Sequence, residues 1–225
     1  MDTDPFSPPV VAELDLLAYR REVSAIYAEV RRRGACEDTW RWWIARRDEL
    51  FAEHPASPFV TGGVEFDRLD YHDYDPALHL GEVELRPAEA YELAIGHSGG
   101  GVTPARRFAT LQLEVGGASE RVSAFWLDVY GGGVFVPLRD ATNGDTTYGG
   151  GRYVLDTAKG ADLGGSGGRL TIDLNFAFHP SCVHDPRWSC PLAPPGERLE
   201  APVVGGERFA RRAETARGGI GDRGW

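Results

Sequence analysis

The chain has 225 residues, with 24 Lys+Arg against 34 Asp+Glu and a formal charge of −10 at pH 7. Hydrophobic residues make up 42% and charged residues 26%, the proportions of a folded globular protein long enough to bury a core without disulfide or metal staples. The acidic balance excludes a non-specific nucleic-acid binder, which needs net positive surface, and no apolar run approaches the roughly 18–20 residues of a membrane span.

Residues 1–10, with Pro5, Pro8 and Pro9, read as a disordered leader. The acidic start Met1-Asp2-Thr3-Asp4-Pro5 lacks the basic-then-apolar pattern of a signal peptide, so a cytoplasmic location is expected, with neither nucleic acid nor membrane as partner. A helical segment follows over 11–57. Leu14, Leu17, Ala18, Ile26, Tyr27 and Val30 recur at helical spacing, and Gly34 ends this first helix. Asp38 is placed to cap a second helix over 39–53, whose face carries Trp40, Trp43, Ile44, Leu50 and Phe51 and is expected to dock on the rest of the molecule. The run Arg31-Arg32-Arg33 reads as favourable charge at a helix C-terminus.

Beyond Pro58 the texture turns to short strands and glycine turns, giving a β-rich domain over 58–206. Candidate strands are 64–66, 80–85, 91–95, 108–115, 121–129, 133–138, 146–148, 152–156 and 170–178. Ala109, Leu111, Leu113 and Val115 share one face, and a hairpin joins this strand to 121–129 across Gly116-Gly117-Ala118-Ser119. Trp126 is assigned to the core. Residues 207–225 read as a flexible tail. The expected fold is α+β, mainly an antiparallel β-barrel or β-sandwich with two N-terminal helices packed against it. The acidic stretch 58–90, with His72 and His79 among its carboxylates, reads as a solvated loop in preference to a metal site.

Two motifs carry no chemistry. Gly164-Gly165-Ser166-Gly167-Gly168 matches the serine-hydrolase elbow pattern, but a strand follows it where a helix is required. Gly149-Gly150-Gly151-Arg152 lacks the Lys-Ser/Thr and helix of a phosphate loop. No cofactor is expected. Lys159, the single lysine, lies in a polar stretch that gives no reason for covalent catalysis.

The informative stretch is 135–191. It runs Phe135-Val136-Pro137-Leu138-Arg139-Asp140, Thr146-Thr147-Tyr148-Gly149-Gly150-Gly151-Arg152-Tyr153, Asp173-Leu174-Asn175-Phe176-Ala177, Pro180-Ser181-Cys182 and Cys190-Pro191. With Arg47-Asp48-Glu49-Leu50-Phe51 and Ser57-Pro58-Phe59 upstream, this ordered series resembles a bacterial family known only as domain-of-unknown-function family 1684. The resemblance covers roughly 40–209. The sequence departs from the family pattern at His179-Pro180-Ser181-Cys182, where Asn-Pro-Pro-Cys is usual, and at Gly196-Glu197, where Glu-Asn is usual. The resemblance implies no activity.

Physical chemistry weighs the residues directly. Charges in strands are costly unless paired, so Arg139, Asp140, Arg152 and Asn175 either bind an anionic small molecule in a polar pocket at one end of the barrel or merely brace loops. In the first reading Asp173 is the candidate general base and Tyr148 the candidate acid or oxyanion donor. In the second the protein is a non-catalytic structural or interaction module. Convergence of Arg152, Tyr148 and Asp173 on a cavity favours the first; pairing and exclusion from solvent favour the second. His179, Cys182, His184 and Cys190 are residue types that zinc accepts, at a spacing unlike a standard finger. Cys182 and Cys190 alternatively form a disulfide or stand as free thiols in a proline-stiffened loop.

Overall fold

Helical periodicity in the first third of the chain produces two long helices. A computed structural model describes residues 10–63 and 65–209. Helix α1 spans Val10–Arg33 and α2 spans Glu37–Glu53. Gly34, at φ +83°, closes α1 by donating its N–H to the Val30 carbonyl. Asp38 is not the cap of α2: Cys36 holds that position without a side-chain bond, and Glu37 and Asp38 lie in the first turn, where their charge favours the helix dipole. A short helix, α3 (Pro58–Gly62), follows under a Ser57 cap. Ile26, Tyr27 and Val30 of α1 are buried, whereas Leu14 and Leu17 are exposed. Among the Arg triplet, Arg31 reaches Asp162, while Arg32 and Arg33 pair with Glu29.

The β elements are β1 (Asp70–Tyr71), β2 (His79–Glu84), β3 (Arg86–Gly96), β4 (Val102–Val115), β5 (Ala118–Leu127), β6 (Val134–Leu138), β7 (Arg152–Asp156), β8 (Arg169–Asp173) and β9 (Glu207–Arg208). Strands β3-β4-β5-β6-β7 form one antiparallel sheet, and β2-β8 and β1-β9 form two small ones. The sheets are open: β3 and β7 remain the edges of the large sheet, so no closed barrel forms. The β4–β5 hairpin turns on Gly116-Gly117 alone, both at positive φ, with Val115 opposite Ala118. Two such residues match the right-handed twist of the flanking strands.

A register irregularity between Arg107 and Ala109 exchanges the faces of β4. On one side of it Ala105 joins Phe125, Phe135 and Tyr153 in a core shared with α1 and α2. On the other, Leu111, Leu113 and Val115 join Val122, Val136, Leu138 and Ile172 in a second core. The second helix docks as its Trp pattern requires. Trp43 is fully buried, and Trp40 Nε1 donates to the Asn175 carbonyl at 2.9 Å.

Some local expectations fail for identifiable reasons. The alternating run 170–178 is a strand only to Asp173. There the Asp173 carboxylate accepts the Asn175 N–H and starts a 3-10 turn over Leu174–Phe176. Residues 146–148 form no strand but belong to a loop tied together by Asp140, Thr142, Asn143 and Thr147. Residues 65–66 are likewise outside any strand. Trp126 is not core: its ring lies at the rim over Gly132, partly exposed. The expected tail begins instead with β9, paired to β1. Of the leader expected over 1–10, Val10 instead opens α1 and 1–9 lie outside the described residues, as does the remainder of the tail over 210–225; no described helix is long and apolar enough to cross a membrane.

Candidate functional site

Arg152 stands at the start of β7 with no exposed surface. Its Nη2 donates to Asp140 Oδ2 and to the Val203 carbonyl, both at 2.9 Å, and its Nη1 donates to the Gly205 and Glu207 carbonyls. Asp140 is equally enclosed and accepts the N–H groups of Thr142 and Val203. Burial pulls the Arg152 pKa below its ordinary value while Asp140 opposes it. The pair therefore binds the loop after β6 to the segment leading into β9.

Asp173 and Asn175 form a second clamp. Asn175 holds both the N–H and the carbonyl of Asp75, each at 2.9 Å. Asp173 Oδ2 faces His79 Nδ1 at 3.0 Å and accepts from the Tyr74 hydroxyl. Tyr148 has different neighbours. Its N–H donates to His179 Nε2, and burial, then the neighbouring Cys182, raises the pKa of its hydroxyl. Arg139 donates to the Gly149 carbonyl at 2.5 Å and lines a surface groove with His97 and Leu192. The expected site residues are thus distributed over separate clusters, and Asp173 does not meet Tyr148. The four expected zinc-type residues also divide. His179 and His184 turn to Glu207, Cys182 and Cys190 are free thiols, and no metal-holding group is found among the described residues.

The deepest charge cluster was not expected. Glu207, buried in β9, takes Arg47 Nη2 on Oε2 at 2.8 Å and His184 Nε2 on Oε1 at 3.1 Å, and the His179 N–H donates to Oε2 at 3.1 Å. Burial alone would raise the Glu207 carboxyl, but Arg47 and the two imidazoles outweigh it and hold it well below the usual range. Arg47 also donates to the Tyr71 hydroxyl and packs its guanidinium against Trp43, Phe51 and Phe178.

Beside this cluster, α1, α2 and the segment 178–181 frame a narrow cleft enclosing about 40 Å³ and open at its mouth. Its walls are mainly apolar, with Val23, Ile26, Leu50, Phe51 and Phe178. The polar groups are Arg47, Lys159, His179, Ser181 and the hydroxyls of Tyr19 and Tyr27. Burial pushes both tyrosine pKa values up, so the hydroxyls stay protonated and able to donate. Lys159 reaches the cleft from a 3-10 turn, Thr157–Lys159. Its contact with Asp156 is long, at 3.5 Å, which leaves donors for a further partner.

The model of the family described as protein of unknown function (DUF1684) matches residues 64–208. The chain belongs to this family. Among solved structures, the solution NMR structure of an uncharacterised protein of Haloarcula marismortui is similar at 31% identity and a TM-score of 0.53, covering 77% of this chain and 94% of that one. No match is found among curated proteins.

The matched stretch of this DUF1684 member contains Glu207 but not Arg47, which α2 supplies from outside it. One sequence signal would have found Arg47. It falls on the apolar face of α2, four residues after Trp43, and a charge there requires a partner. Glu207 had no such signal, because its strand pairing is not local.

One half-buried and one buried imidazole, His72 and His179, give the family member a pH dependence. Burial, then Arg152 and Arg208, lowers the His72 pKa to about 4 from 6.5. Burial also lowers that of His179, against the pull of Glu207. As pH falls through about 6.5 the unfolded chain binds protons at both positions and the folded chain does not, so stability is full above that pH and lost toward pH 4. Thermal melts are expected to show Tm falling across this window, with His72→Gln flattening part of the fall. A Tm constant across it in the parent protein would contradict the assignment.

Proposed function

We propose that the protein binds a small molecule with an apolar body and an anionic end group in the cleft between α1, α2 and the segment 178–181. The observation that carries this reading is a loosely paired ammonium, Lys159, at an otherwise apolar cavity whose remaining polar groups are mostly donors. The body of the ligand packs against Ile26, Leu50 and Phe178. Its charge meets Lys159 and the Ser181 hydroxyl, with Arg47 adding positive potential from behind. The bracing of Arg152, Asp140, Asp173 and Asn175 is compatible with this. Arg152 holds the carbonyls of 203, 205 and 207, and so places the Glu207 carboxylate that fixes Arg47.

Calorimetric titration with hexanoate, octanoate and decanoate, and with octanol as the neutral control, tests the proposal. Saturable binding of a carboxylate is expected, weakened roughly tenfold or more by Lys159→Met, the loss of one charge-assisted hydrogen bond. Equal binding of octanol, or indifference to Lys159→Met, would refute it.

A further inference from the structure

Strand β3 is a free edge of the five-stranded sheet, and a groove of about 370 Å³ runs beside its last residues. One wall is the edge itself over 93–97, and the other is the segment 192–195 with the Arg139 side chain. Two bonds show how the backbone of this edge is directed. His97 N–H donates to the Gly101 carbonyl across the hairpin at 3.1 Å, whereas the Gly96 carbonyl turns the other way and accepts Leu192 N–H at 2.8 Å. Adjacent residues of an antiparallel pair alternate in this manner, and the register with β4 is unbroken from Tyr91 to Gly96. The N–H and C=O groups of Ala94 and Glu92 therefore point away from β4, and exposed Ala94 lines the groove. Leu192 makes one bond to this edge, and Ala193 N–H then leaves for the Gly150 carbonyl at 3.0 Å. Among the described residues no strand lies beside the rest of it. At the far end Pro87, which has no N–H, and the irregularity between Pro87 and Tyr91 keep the open stretch short.

The side chains of the groove are mainly apolar, with Leu93, Leu192, Pro194 and Pro195. Arg139 is the exception. Its Nη2 donates to the Gly149 carbonyl, but its Nε, shielded from solvent, has no partner among the described residues. His97 is already engaged, with Ser189 Oγ at 3.2 Å from Nδ1 and Thr103 Oγ1 at 2.7 Å from Nε2. A guanidinium with an unfilled donor in an apolar groove suits a carboxylate. Outward N–H and C=O groups at the spacing of a strand suit an extended backbone. We propose that the groove binds an extended segment of a partner protein, which adds to β3 as a sixth strand and sets an Asp or Glu side chain against Arg139. A small carboxylate would meet Arg139 yet leave the Ala94 backbone unpaired, and an apolar peptide would do the reverse. An acidic extended segment satisfies both. The site is separate from the cleft between α1 and α2 and does not depend on what that cleft holds.

The test presents the full chain with two pools of capped octapeptides, built from valine, threonine and serine around a central glutamate or, in the second pool, glutamine. The peptides most enriched on the protein are then titrated by fluorescence anisotropy. Glutamate peptides should bind saturably, and their glutamine counterparts roughly tenfold or more weakly, the loss of one charge-assisted hydrogen bond. Arg139→Gln should erase that preference. Ala94→Pro removes an outward N–H without removing a bond to β4, and should abolish binding while the circular dichroism of the sheet is kept. Peptides N-methylated at alternate residues repeat the test on the unaltered protein: one phase of methylation should abolish binding and the other should leave it. Failure of both pools to bind, equal affinity for glutamate and glutamine peptides, or indifference to both methylation phases would each overturn the proposal. Dimerisation lost in Ala94→Pro, in place of peptide binding, would assign the edge to a second copy of the chain and overturn it as well.

Discussion

Replacing Arg152 by alanine is expected to cost about 3–5 kcal/mol of stability, the penalty for leaving a buried charge without its partner. The substitution strands the Asp140 carboxylate, which has no exposed surface, and removes the donors to the carbonyls of 203, 205 and 207. Arg152→Lys is expected to rescue little, because a single ammonium cannot span four acceptors held by a planar fork. Urea unfolding of the purified variants measures the effect. A midpoint close to that of the parent would show that the Arg152–Asp140 pair does not hold the last segment in place.

The second large effect lies at Arg47 and Glu207. Each single substitution, Arg47→Met or Glu207→Gln, leaves a charge enclosed without its counter-charge and is expected to destabilise by about 3–5 kcal/mol. The double variant Arg47→Met/Glu207→Gln should lose clearly less than the sum, since neither charge is then stranded. The coupling should be at the upper end of the roughly 0.5–3 kcal/mol seen for residues in contact. Additive losses would mean that the hydrogen bond at 2.8 Å carries no net coupling. In the double variant His179 and His184 meet a neutral amide in place of the Glu207 carboxylate, with one acceptor oxygen instead of two. The residual cost therefore measures what the two histidines need from a full carboxylate.

How far these features can be read from the sequence depends on whether their cause is local. The helices, the glycine that ends α1 and the Gly116-Gly117 hairpin follow from periodicity and backbone freedom within a few residues, and each is legible. The β8 boundary is not, because perfect alternation continues through Phe178 while the Asp173 side chain, acting on the backbone two residues ahead, ends the strand. Barrel closure depends on whether β3 meets β7, a non-local event that strand counting does not decide. At the candidate site the same division holds. Arg152, Asp140, Asp173 and Asn175 stood out as charged or polar residues in strands, but only the fold reveals which backbone and side-chain groups hold them. Lys159 gave no chemical signal from its Gly- and Asp-rich surroundings; a 3-10 turn carries it to the helices. Glu207, assigned to a tail, becomes the centre of a charge network through a two-residue strand whose partner lies far back in the chain.

The cleft is the centre of this account, and backbone amide NMR during titration with octanoate tests it most directly. Saturable shifts concentrated at Ile26, Leu50, Lys159, Phe178 and Ser181, and displaced to roughly tenfold higher octanoate or more by Lys159→Met, are the predicted result. Shifts that fail to saturate, or that gather in the Arg139 groove beside His97 and Leu192 instead, would contradict it.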